Sequence, residues 1–340
     1  MGEKYLPMVS IVVINFKSIQ QLEKCLRYLE RTRYPNYELI VVDCLTKGVD
    51  AWIKKFYPNV KLIHYDHDIG ASASHNVDDF LDKNSKYIAF LDNDAYVTEE
   101  WLMELVKVME NDENVGVAQA KIVRAKNPGL LDHVGMAIDA FGTWLTLQGF
   151  KADSIKNISE IFVASSAGCI VRRNLFKMVR GFDPDYFIYD DDTDFSFRIR
   201  LLGYKIIIVP SSIIFHEGEP TRSLIPRKLY HSIKNRMCTM IKNYEFRHLW
   251  WRLTIYMISV FMAGVCLFLI RRFLEAREVL RSLLYPLVNL RKLWIKRALI
   301  QSKRVVRDSE FLKRGFILNN INPTIQDMKT KLVYVSKSKP

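Results

Sequence analysis

The acidic triplet Asp92-Asn93-Asp94 completes the apolar run YIAFLD (87–92) and continues just past it. Its spacing puts two carboxylates at the end of a predicted buried strand, within reach of one hard cation. Mg²⁺ or Mn²⁺ held by one or two carboxylates keeps open positions that a substrate diphosphate can fill. The cation then neutralises the charge that develops on a departing phosphate. Short Asp/Asn clusters after strands also form ordinary turns, so the triplet alone leaves both interpretations open.

A second acidic cluster precedes a helical pattern and contains Asp190, Asp191, Asp192 and Asp194. Four carboxylates this close repel one another unless a cation, an arginine or helix N-terminal amides offset their charge. Repulsion makes a carboxylate bind a proton more readily, and such a group is a better general base towards a hydroxyl. A solvated, charged helix start is the alternative interpretation.

His216 ends the apolar run SIIFH (212–216) and is followed by Glu217. A single histidine is more often a packed or surface residue than a metal ligand. The residue alone therefore leaves both interpretations open.

These residues need a sheet that brings strand ends together, and the sequence predicts one. Short β-branched runs alternate with helical patterns, which indicates right-handed βαβ crossovers and a mainly parallel α/β sheet with helices on both faces. Ligands bind at the carboxyl ends of strands in such sheets, where Asp43, Asp92 and Asp94 stand. The predicted strands are 9–16, 37–43, 60–65, 87–92, 161–166, 204–210 and 212–216, and the predicted helices begin after Ser18 and cover 76–82 and 99–109.

Charge is divided unevenly along the 340 residues. Residues 1–220 carry 25 Lys and Arg against 31 Asp and Glu, whereas residues 221–340 carry 25 against 6. The acidic larger part would repel phosphate backbones, so we expect no nucleic-acid partner. A basic stretch beside apolar runs suits an anionic membrane surface. The chain contains neither G-x-G-x-x-G nor a Walker A loop, which removes the usual dinucleotide and ATP interpretations.

Taken in order, the segments resemble glycosyltransferase family 2 with the GT-A fold, especially its rhamnosyltransferase-like branch. VSIVVINF (9–16) is similar to the opening strand of the family, YELIVVD (37–43) to its second strand and FLDND (90–94) to its D-x-D motif. ASSAGCIVRRNLFKMVRGFDPDYF (164–187) is similar to its G-x-x-x-x-x-R-R and G-F-D segments. FIYDDDTDFSFRIRLLGYKIIIVPSSIIFHEG (187–218) resembles its E-D-x-D stretch and the histidine after the last strand.

The resemblance implies metal-dependent transfer of a sugar from a nucleotide-diphosphate donor to a hydroxyl, with inversion at the anomeric carbon. The implied acceptor is a glycan or a lipid-linked oligosaccharide, in the assembly of cell-surface glycans. Asp191 stands where the family usually has Glu, and DIGASASHN (68–76) replaces the glycine-rich donor loop. The implied roles are Asp192 and Asp191 in catalysis, Asp43, Asp92, Asn93, Gly70 and Asn76 in donor binding, and Asp92, Asp94 and His216 in binding Mn²⁺ or Mg²⁺.

Two alternatives stay open besides this function. One is a sugar-nucleotide pyrophosphorylase, although INFKSIQQ (14–21) is not the glycine-rich, lysine-containing loop that such enzymes carry after the first strand. The other is an inactive nucleotide-sugar-binding module at a membrane. We expect a GT-A catalytic domain over residues 1–220 and a basic, apolar helical region over 221–340.

We expect the C-terminal region to lie on the cytoplasmic face of the membrane. The 18 uncharged residues 253–270 would reach about 27 Å as a helix, just short of the roughly 30 Å hydrocarbon core. Residues 271–340 hold 17 Lys and Arg against 5 Asp and Glu, and a single crossing would place them outside, against the positive-inside tendency. An in-plane or re-entrant helix satisfies both constraints, and a soluble helical cap is the alternative. The five widely spaced cysteines fit a reducing compartment.

Overall fold

The computed structural model describes residues 6–218 and 226–319, which form two compact units. The first unit comprises the residues up to Gly135, Thr146–Phe187 and Tyr204–Gly218. The second comprises Met136–Leu145, Ile188–Gly203 and the described residues from 226 onwards. The predicted domain boundary between residues 220 and 221 lies outside the described residues, as do residues 320–340, and that boundary stays a prediction.

The chain combines strands and helices throughout its first two thirds and is helical afterwards. The strands are β1 (Val9–Phe16), β2 (Tyr37–Cys44), β3 (Lys61–Tyr65), β4 (Tyr87–Asp92), β5 (Ala95–Val97), β6 (Val115–Arg124), β7 (Asn127–Leu131), β8 (Gly135–Ile138), β9 (Trp144–Thr146), β10 (Ser159–Glu160), β11 (Gly168–Arg172) and β12 (Lys205–His216). The helices are α1 (Ile19–Leu29), α2 (Val49–Phe56), α3 (Ala71–Ser74), α4 (Trp101–Asn111), α5 (Arg173–Met178), α6 (Asp191–Leu201), α7 (Pro226–Asn243), α8 (Phe246–Leu269), α9 (Phe273–Val288), α10 (Leu290–Gln301) and α11 (Asp308–Lys313).

The first unit is built on one large sheet with the strand order β10-β12-β6-β11-β4-β1-β2-β3. Strands β4, β1, β2 and β3 are parallel, as are β6 and β12. Strand β11 runs antiparallel to both of its neighbours, β4 and β6. The sheet is therefore mixed where the sequence predicted a mainly parallel one, because apolar runs report that a strand is buried without reporting its direction.

The first βα unit follows the sequence prediction closely. Val9, Ile11 and Val13 in β1 are completely buried, which explains why the run is apolar without alternation. Ser18 caps α1, because its hydroxyl accepts a hydrogen bond from the backbone N–H of Gln21 at 3.2 Å. The apolar stripe of α1 faces the core, and its buried members are Leu22, Cys25, Leu26 and Leu29.

Three predicted elements differ from the structure. The predicted helix over 76–82 is only the short 3₁₀ turn Asp78–Phe80. The buried run 161–166 is not a strand, since its backbone N–H groups bond separate partners instead of one neighbouring strand: Ile161 donates to the Ile206 carbonyl, and Ser165 to the Gln119 side chain. The two predicted strands 204–210 and 212–216 are one strand, β12, with a register shift between Val209 and Ile213. Pro210 lies in that gap, where a residue without N–H interrupts the ladder least.

In the second unit, side chains of α10 cap the C-terminal end of α7. Arg297 donates to the carbonyls of Ile241 and Tyr244, each at 2.6 Å. Gln301 donates to the carbonyls of Lys242 and Asn243. These bonds satisfy carbonyls that the end of a helix leaves without partners. Part of the basic charge of the C-terminal region is therefore buried inside the protein. The buried basic side chains of this region are Lys234, Arg236, Lys242, Arg252 and Arg297.

Candidate active site

Two strand pairings bring His216 beside the acidic triplet. The short strand β5 begins directly after Asp94 and pairs antiparallel with the end of β12, so that His216 lies opposite Ala95. The backbone of the next residues also holds Asp94, since Glu217 donates to its carbonyl at 3.0 Å and Gly218 to its carboxylate at 3.2 Å. Residues more than 120 positions apart therefore meet at one edge of the sheet.

Asp92, Asp94 and His216 form a compact set of metal-ligating groups. The His216 Nε2 lies 3.2 Å from Oδ1 of Asp94 and 4.0 Å from Oδ2 of Asp92. One ligand atom from each residue lies within 4.8 Å of the other two. Ligands about 2.1 Å from one ion and at right angles to each other are roughly 3 Å apart, so these separations suit a shared cation. Two carboxylates and one imidazole are a donor set that suits Mn²⁺, and Mg²⁺ with more water.

Asp132 holds the other side of the His216 ring. Its Oδ2 accepts a hydrogen bond from Nδ1 of His216 at 2.6 Å, which leaves Nε2 facing Asp92 and Asp94. Burial would lower the pKa of His216, but the hydrogen bonds and charges of Asp132, Asp94 and Asp92 outweigh it and raise that pKa to about 10. Burial would raise the pKa of Asp132, but its bonds to His216 and Gln148 and the nearby His133 lower it to about 2. The carboxylates thus favour positive charge at this point, as a divalent cation requires.

Asp43 lies at the end of β2 and is completely buried. Its carboxylate accepts hydrogen bonds from Asn15 at 2.5 Å, from His64 at 2.7 Å and from the backbone N–H of Thr46 at 3.2 Å. Asn15 in turn accepts a hydrogen bond from Asn93 at 2.6 Å. The donor-binding roles of Asp43 and Asn93 stay predictions, and the structure places both side chains in one internal network.

Gly70 and Asn76 belong to the segment that connects β3 to β4, and both contact the 182–187 segment. Asn76 exchanges two hydrogen bonds of 2.9 Å with the backbone of Phe182. Gly70 has a positive φ, and a Cβ there would lie 2.5 Å from the Phe187 carbonyl oxygen, so only glycine fits this close approach. The structure thus gives both residues structural contacts, and their predicted contact with the donor stays untested.

Asp191 and Asp192 are the first two residues of α6, in the second unit. Asp191 is buried, whereas Asp192 is only partly buried. Asp194, one turn further, is completely buried and pairs with Arg198 and Lys242 at 2.9 Å each. Among these carboxylates Asp194 therefore has a structural role, and Asp192 keeps the exposure that a general base needs.

The match to a family model decides which family this is. A model described as "Glycosyltransferase like family 2" matches residues 7–241, more than half of the chain. The chain belongs to this family. It is a glycosyltransferase, and the predicted family and enzyme class are confirmed.

Its relatives and structural neighbours agree with this assignment. Glycosyltransferase AglE of Haloferax volcanii is 24% identical over 66% of this chain and 71% of its own length. The N-acetylglucosaminyl-diphospho-decaprenol L-rhamnosyltransferase of Mycobacterium tuberculosis is 32% identical over 88 residues, 26% of this chain and 28% of its own length. The mannosyltransferase PcManGT from Pyrobaculum calidifontis, solved with GDP-Man and Mn²⁺, has a TM-score of 0.52 and 16% identity over 88% of this chain and 86% of its own.

The structural likeness confirms a GT-A-type glycosyltransferase fold for this family member. The chain spans about half or less of several longer proteins that it also matches. The activity, substrates and partners of those longer proteins are therefore not assigned to this chain here.

Sequence reasoning about this glycosyltransferase missed three polar residues of the site: Asn15, His64 and Asp132. Asn15 and His64 could have been identified from the sequence, because each is a polar residue near the carboxyl end of a predicted strand. Asp132 carried no such signal, since it lies in the stretch after α4 where the sequence pattern is irregular. Its backbone N–H bonds the Ile122 carbonyl of β6, and β6 was itself not predicted.

Asp132→Asn is expected to weaken Mn²⁺ binding about 10- to 100-fold, because it removes the carboxylate that orients the His216 ring through Nδ1. Calorimetric titration of the metal measures this effect. Asp153→Asn, in the short 3₁₀ turn at 152–154 of the same unit, is the control and should bind Mn²⁺ like the wild type. Equal metal affinity in Asp132→Asn and the wild type would show that Asp132 does not orient a ligand.

Proposed function

We propose that this glycosyltransferase moves a sugar from a nucleotide-diphosphate donor to a hydroxyl of a glycan or lipid-linked oligosaccharide, with metal dependence and inversion. The convergence of Asp92, Asp94 and His216 at one sheet edge carries the proposal. Family membership supports the nucleotide-sugar donor. PcManGT was solved with GDP-Man and Mn²⁺, and the mycobacterial relative is named for a lipid-linked acceptor.

Each residue of the proposed site has a distinct task. Asp92 and Asp94 supply carboxylate oxygens and His216 supplies Nε2 for Mn²⁺ or Mg²⁺. The bound cation would stabilise the charge that develops on the departing diphosphate. Asp132 keeps the His216 ring in the orientation that directs Nε2 towards the two carboxylates.

Inversion requires the acceptor hydroxyl to attack the anomeric carbon directly while it loses its proton. The O–H bond of the acceptor breaks, a C–O bond forms, and the bond from the sugar to the diphosphate breaks. We assign the proton to Asp192, a partly exposed carboxylate in the first turn of α6. Asp191 beside it is buried and would support the helix start rather than take the proton.

A panel of UDP-, GDP- and dTDP-sugars with Mn²⁺ and Mg²⁺ tests the proposed function. We expect one donor class to bind by calorimetry and to be hydrolysed slowly, with both effects lost on chelation. Donor binding without hydrolysis or transfer would favour the inactive module. Formation of pyrophosphate from a sugar 1-phosphate and a nucleoside triphosphate would favour the pyrophosphorylase. The comparisons support neither alternative.

We also propose that the helices of the second unit hold the protein on the cytoplasmic face of the membrane. Among the described residues, α8 is the one helix long and apolar enough to cross a bilayer, and 28% of its apolar window is buried. Most exposed large hydrophobic side chains of the described residues lie on α8, α9 and α10 or in the turns between them. They include Trp250, Phe261, Phe268, Leu269, Leu274, Leu287, Val288, Trp294 and Leu299.

The charges on these helices support an in-plane arrangement. Arg277 and Arg281 are exposed on α9, and Arg291 and Lys292 on α10, beside the exposed apolar side chains. A helix with exposed cations among Trp and Leu suits the boundary between headgroups and acyl chains. The cations can then contact anionic lipid at about 1 kcal/mol each.

Flotation with vesicles measures this attachment. The wild-type protein is expected to float with phosphatidylcholine vesicles that contain phosphatidylserine, and less with vesicles that lack it. The double variant Leu269→Glu/Leu274→Glu changes side chains that are 73% and 66% exposed and should bind at least about tenfold more weakly. Phe56→Glu/Phe80→Glu, two exposed side chains of the first unit, is the control. Recovery of all the protein in the soluble fraction at low salt without detergent would refute the attachment.

A further inference from the structure

A basic cavity of about 440 Å³ lies at the amino-terminal edge of the parallel strands in the first unit. Lys86 lines it directly before β4, and Arg172 lines it at the end of β11, where the antiparallel register places Arg172 opposite Tyr87. Among the described residues that line the cavity, five are basic and none is acidic. The basic ones are Lys83, Lys86, Arg172, Arg173 and Lys177. The lining therefore suits an anion.

The cavity is separate from the cluster of Asp92, Asp94 and His216. Strand β4 begins at Tyr87 beside the cavity and ends at Asp92. The five steps from Tyr87 to Asp92, of about 3.3 Å each, put roughly 17 Å between these two residues. A phosphate-sized ligand in the cavity therefore cannot contact the proposed metal ligands, and it would occupy a second site.

Carboxylates neutralise only part of the charge in the cavity. Asp78 pairs with Arg173 at 2.7 Å and also with Lys177 at 3.1 Å. Glu110 pairs with Lys86 at 2.7 Å. The side chains of Lys86 and Lys177 are 49% and 54% exposed, and such exposed ion pairs are weak. Both lysines can therefore also contact a bound anion.

The other two cations, Arg172 and Lys83, add charge that no bonded carboxylate offsets among the described residues. Arg172 is held at 2.6 to 3.0 Å by three backbone carbonyls, those of Val115, Met109 and Asp112. Carbonyl oxygens carry only partial negative charge, so these bonds fix the guanidinium without cancelling its charge. Lys83 is exposed. Five cations with two carboxylate partners leave the cavity with an excess of three positive charges.

We propose that this cavity binds a phosphate-bearing anion. Arg172 and Arg173 form its fixed base, and the three exposed lysines contact the phosphate oxygens. Excess positive charge in a concave surface raises the local concentration of anions, and both Arg and Lys bind phosphate groups well. Residues 1–220 carry more acidic than basic side chains, so this concentration of positive charge is local to the cavity. A soluble phosphate compound and the phosphate of a lipid headgroup share this chemistry.

Calorimetric titration with inorganic pyrophosphate in the presence of EDTA tests the site, because the chelator keeps metal away from Asp92, Asp94 and His216. We expect one pyrophosphate to bind per chain, with an affinity that falls as the salt concentration rises. The double variant Lys83→Gln/Lys177→Gln removes two of the exposed charges and keeps both arginines. It should bind pyrophosphate at least about tenfold more weakly, as for the loss of a hydrogen bond to a charged group.

The matched control is Lys54→Gln/Lys107→Gln, which removes two exposed lysines of the same unit that lie outside the cavity. It should keep the wild-type affinity for pyrophosphate. Two results would overturn the proposal: no binding of pyrophosphate to the wild-type protein in EDTA, or equal affinities in the two double variants. The titration needs neither metal nor donor sugar, so its outcome is independent of the proposed function.

Flotation of the two double variants with vesicles that contain phosphatidic acid identifies the source of the phosphate. Weaker flotation of Lys83→Gln/Lys177→Gln than of Lys54→Gln/Lys107→Gln would assign the site to a lipid phosphate. Equal flotation, together with the expected loss of pyrophosphate binding, would assign it to a soluble phosphate compound.

Discussion

Asp94→Ala is expected to reduce Mn²⁺-dependent nucleotide binding and donor turnover by at least about 100-fold. The substitution removes a charged ligand that lies 3.2 Å from the His216 Nε2, and loss of groups that only support a ligand already costs 10- to 100-fold. It also removes the carboxylate that Gly218 holds by its backbone N–H. Calorimetry with Mn²⁺ and the preferred nucleoside diphosphate measures the first effect, and donor hydrolysis the second.

The control for Asp94→Ala is Asp66→Ala, a change of the same type at a side chain that is 93% exposed. Thermal unfolding of both variants shows whether the fold is kept. Nucleotide affinity that is unchanged by Asp94→Ala and by a chelator would show that the cluster of Asp92, Asp94 and His216 is not a working metal site.

Asp192→Asn is expected to lower kcat about 10²- to 10⁴-fold, the usual cost of losing a general base. Donor affinity should stay within about twofold of the wild type, because the amide has the same size and the proposed donor ligands are other residues. Single-turnover transfer and donor titration measure the two quantities separately. A fall in kcat with unchanged donor binding is the pattern of an interaction made only in the transition state.

Two neighbouring carboxylates serve as comparisons for Asp192→Asn. Asp191→Asn should keep most of the turnover. Asp194→Asn should mainly lower the melting temperature, because Asp194 is buried between Arg198 and Lys242 and its loss leaves two buried cations under-compensated. The assignment would be wrong if Asp192→Asn kept near wild-type turnover while Asp191→Asn or Asp194→Asn lost it.

The sequence predicted the strands that end in functional residues but not the direction of all of them. Short apolar runs such as YELIVVD and YIAFLD are typical of strands buried on both faces, and their ends place Asp43 and Asp92 at one edge. The direction of β11 depends on its contacts with β4 and β6. The run Gly116 to Ala120 in β6 is low in β-branched and aromatic residues, so burial between neighbouring strands rather than propensity makes it a strand.

Local sequence patterns also could not identify the side chains around the predicted metal ligands, because contacts between distant strands bring these side chains together. Asp132 is recognisable only once β6 and β12 are adjacent, since that adjacency brings it to His216. The family resemblance implied a donor-binding role for Asp43. Its burial depends on Asn15, His64 and Thr46, which lie on other strands or in the following turn.

The composition of the basic C-terminal region likewise does not show which of its cations are exposed. Its net charge predicted contact with anionic lipid, yet the guanidinium of Arg252 is buried, where it donates to the Ala140 carbonyl at 3.0 Å and to Asn319 at 2.7 Å. Cations that close helix ends or fill the interior cannot contact a membrane. The proposed membrane attachment therefore depends on the exposed cations of α9 and α10.

Anomalous X-ray scattering from crystals of the protein grown with Mn²⁺ and a nucleoside diphosphate would locate the metal. We expect a manganese peak within coordinating distance of Asp92, Asp94 and the Nε2 of His216, with diphosphate oxygens completing its coordination. A bound nucleotide without manganese at these residues, or manganese bound only elsewhere, would contradict this expectation.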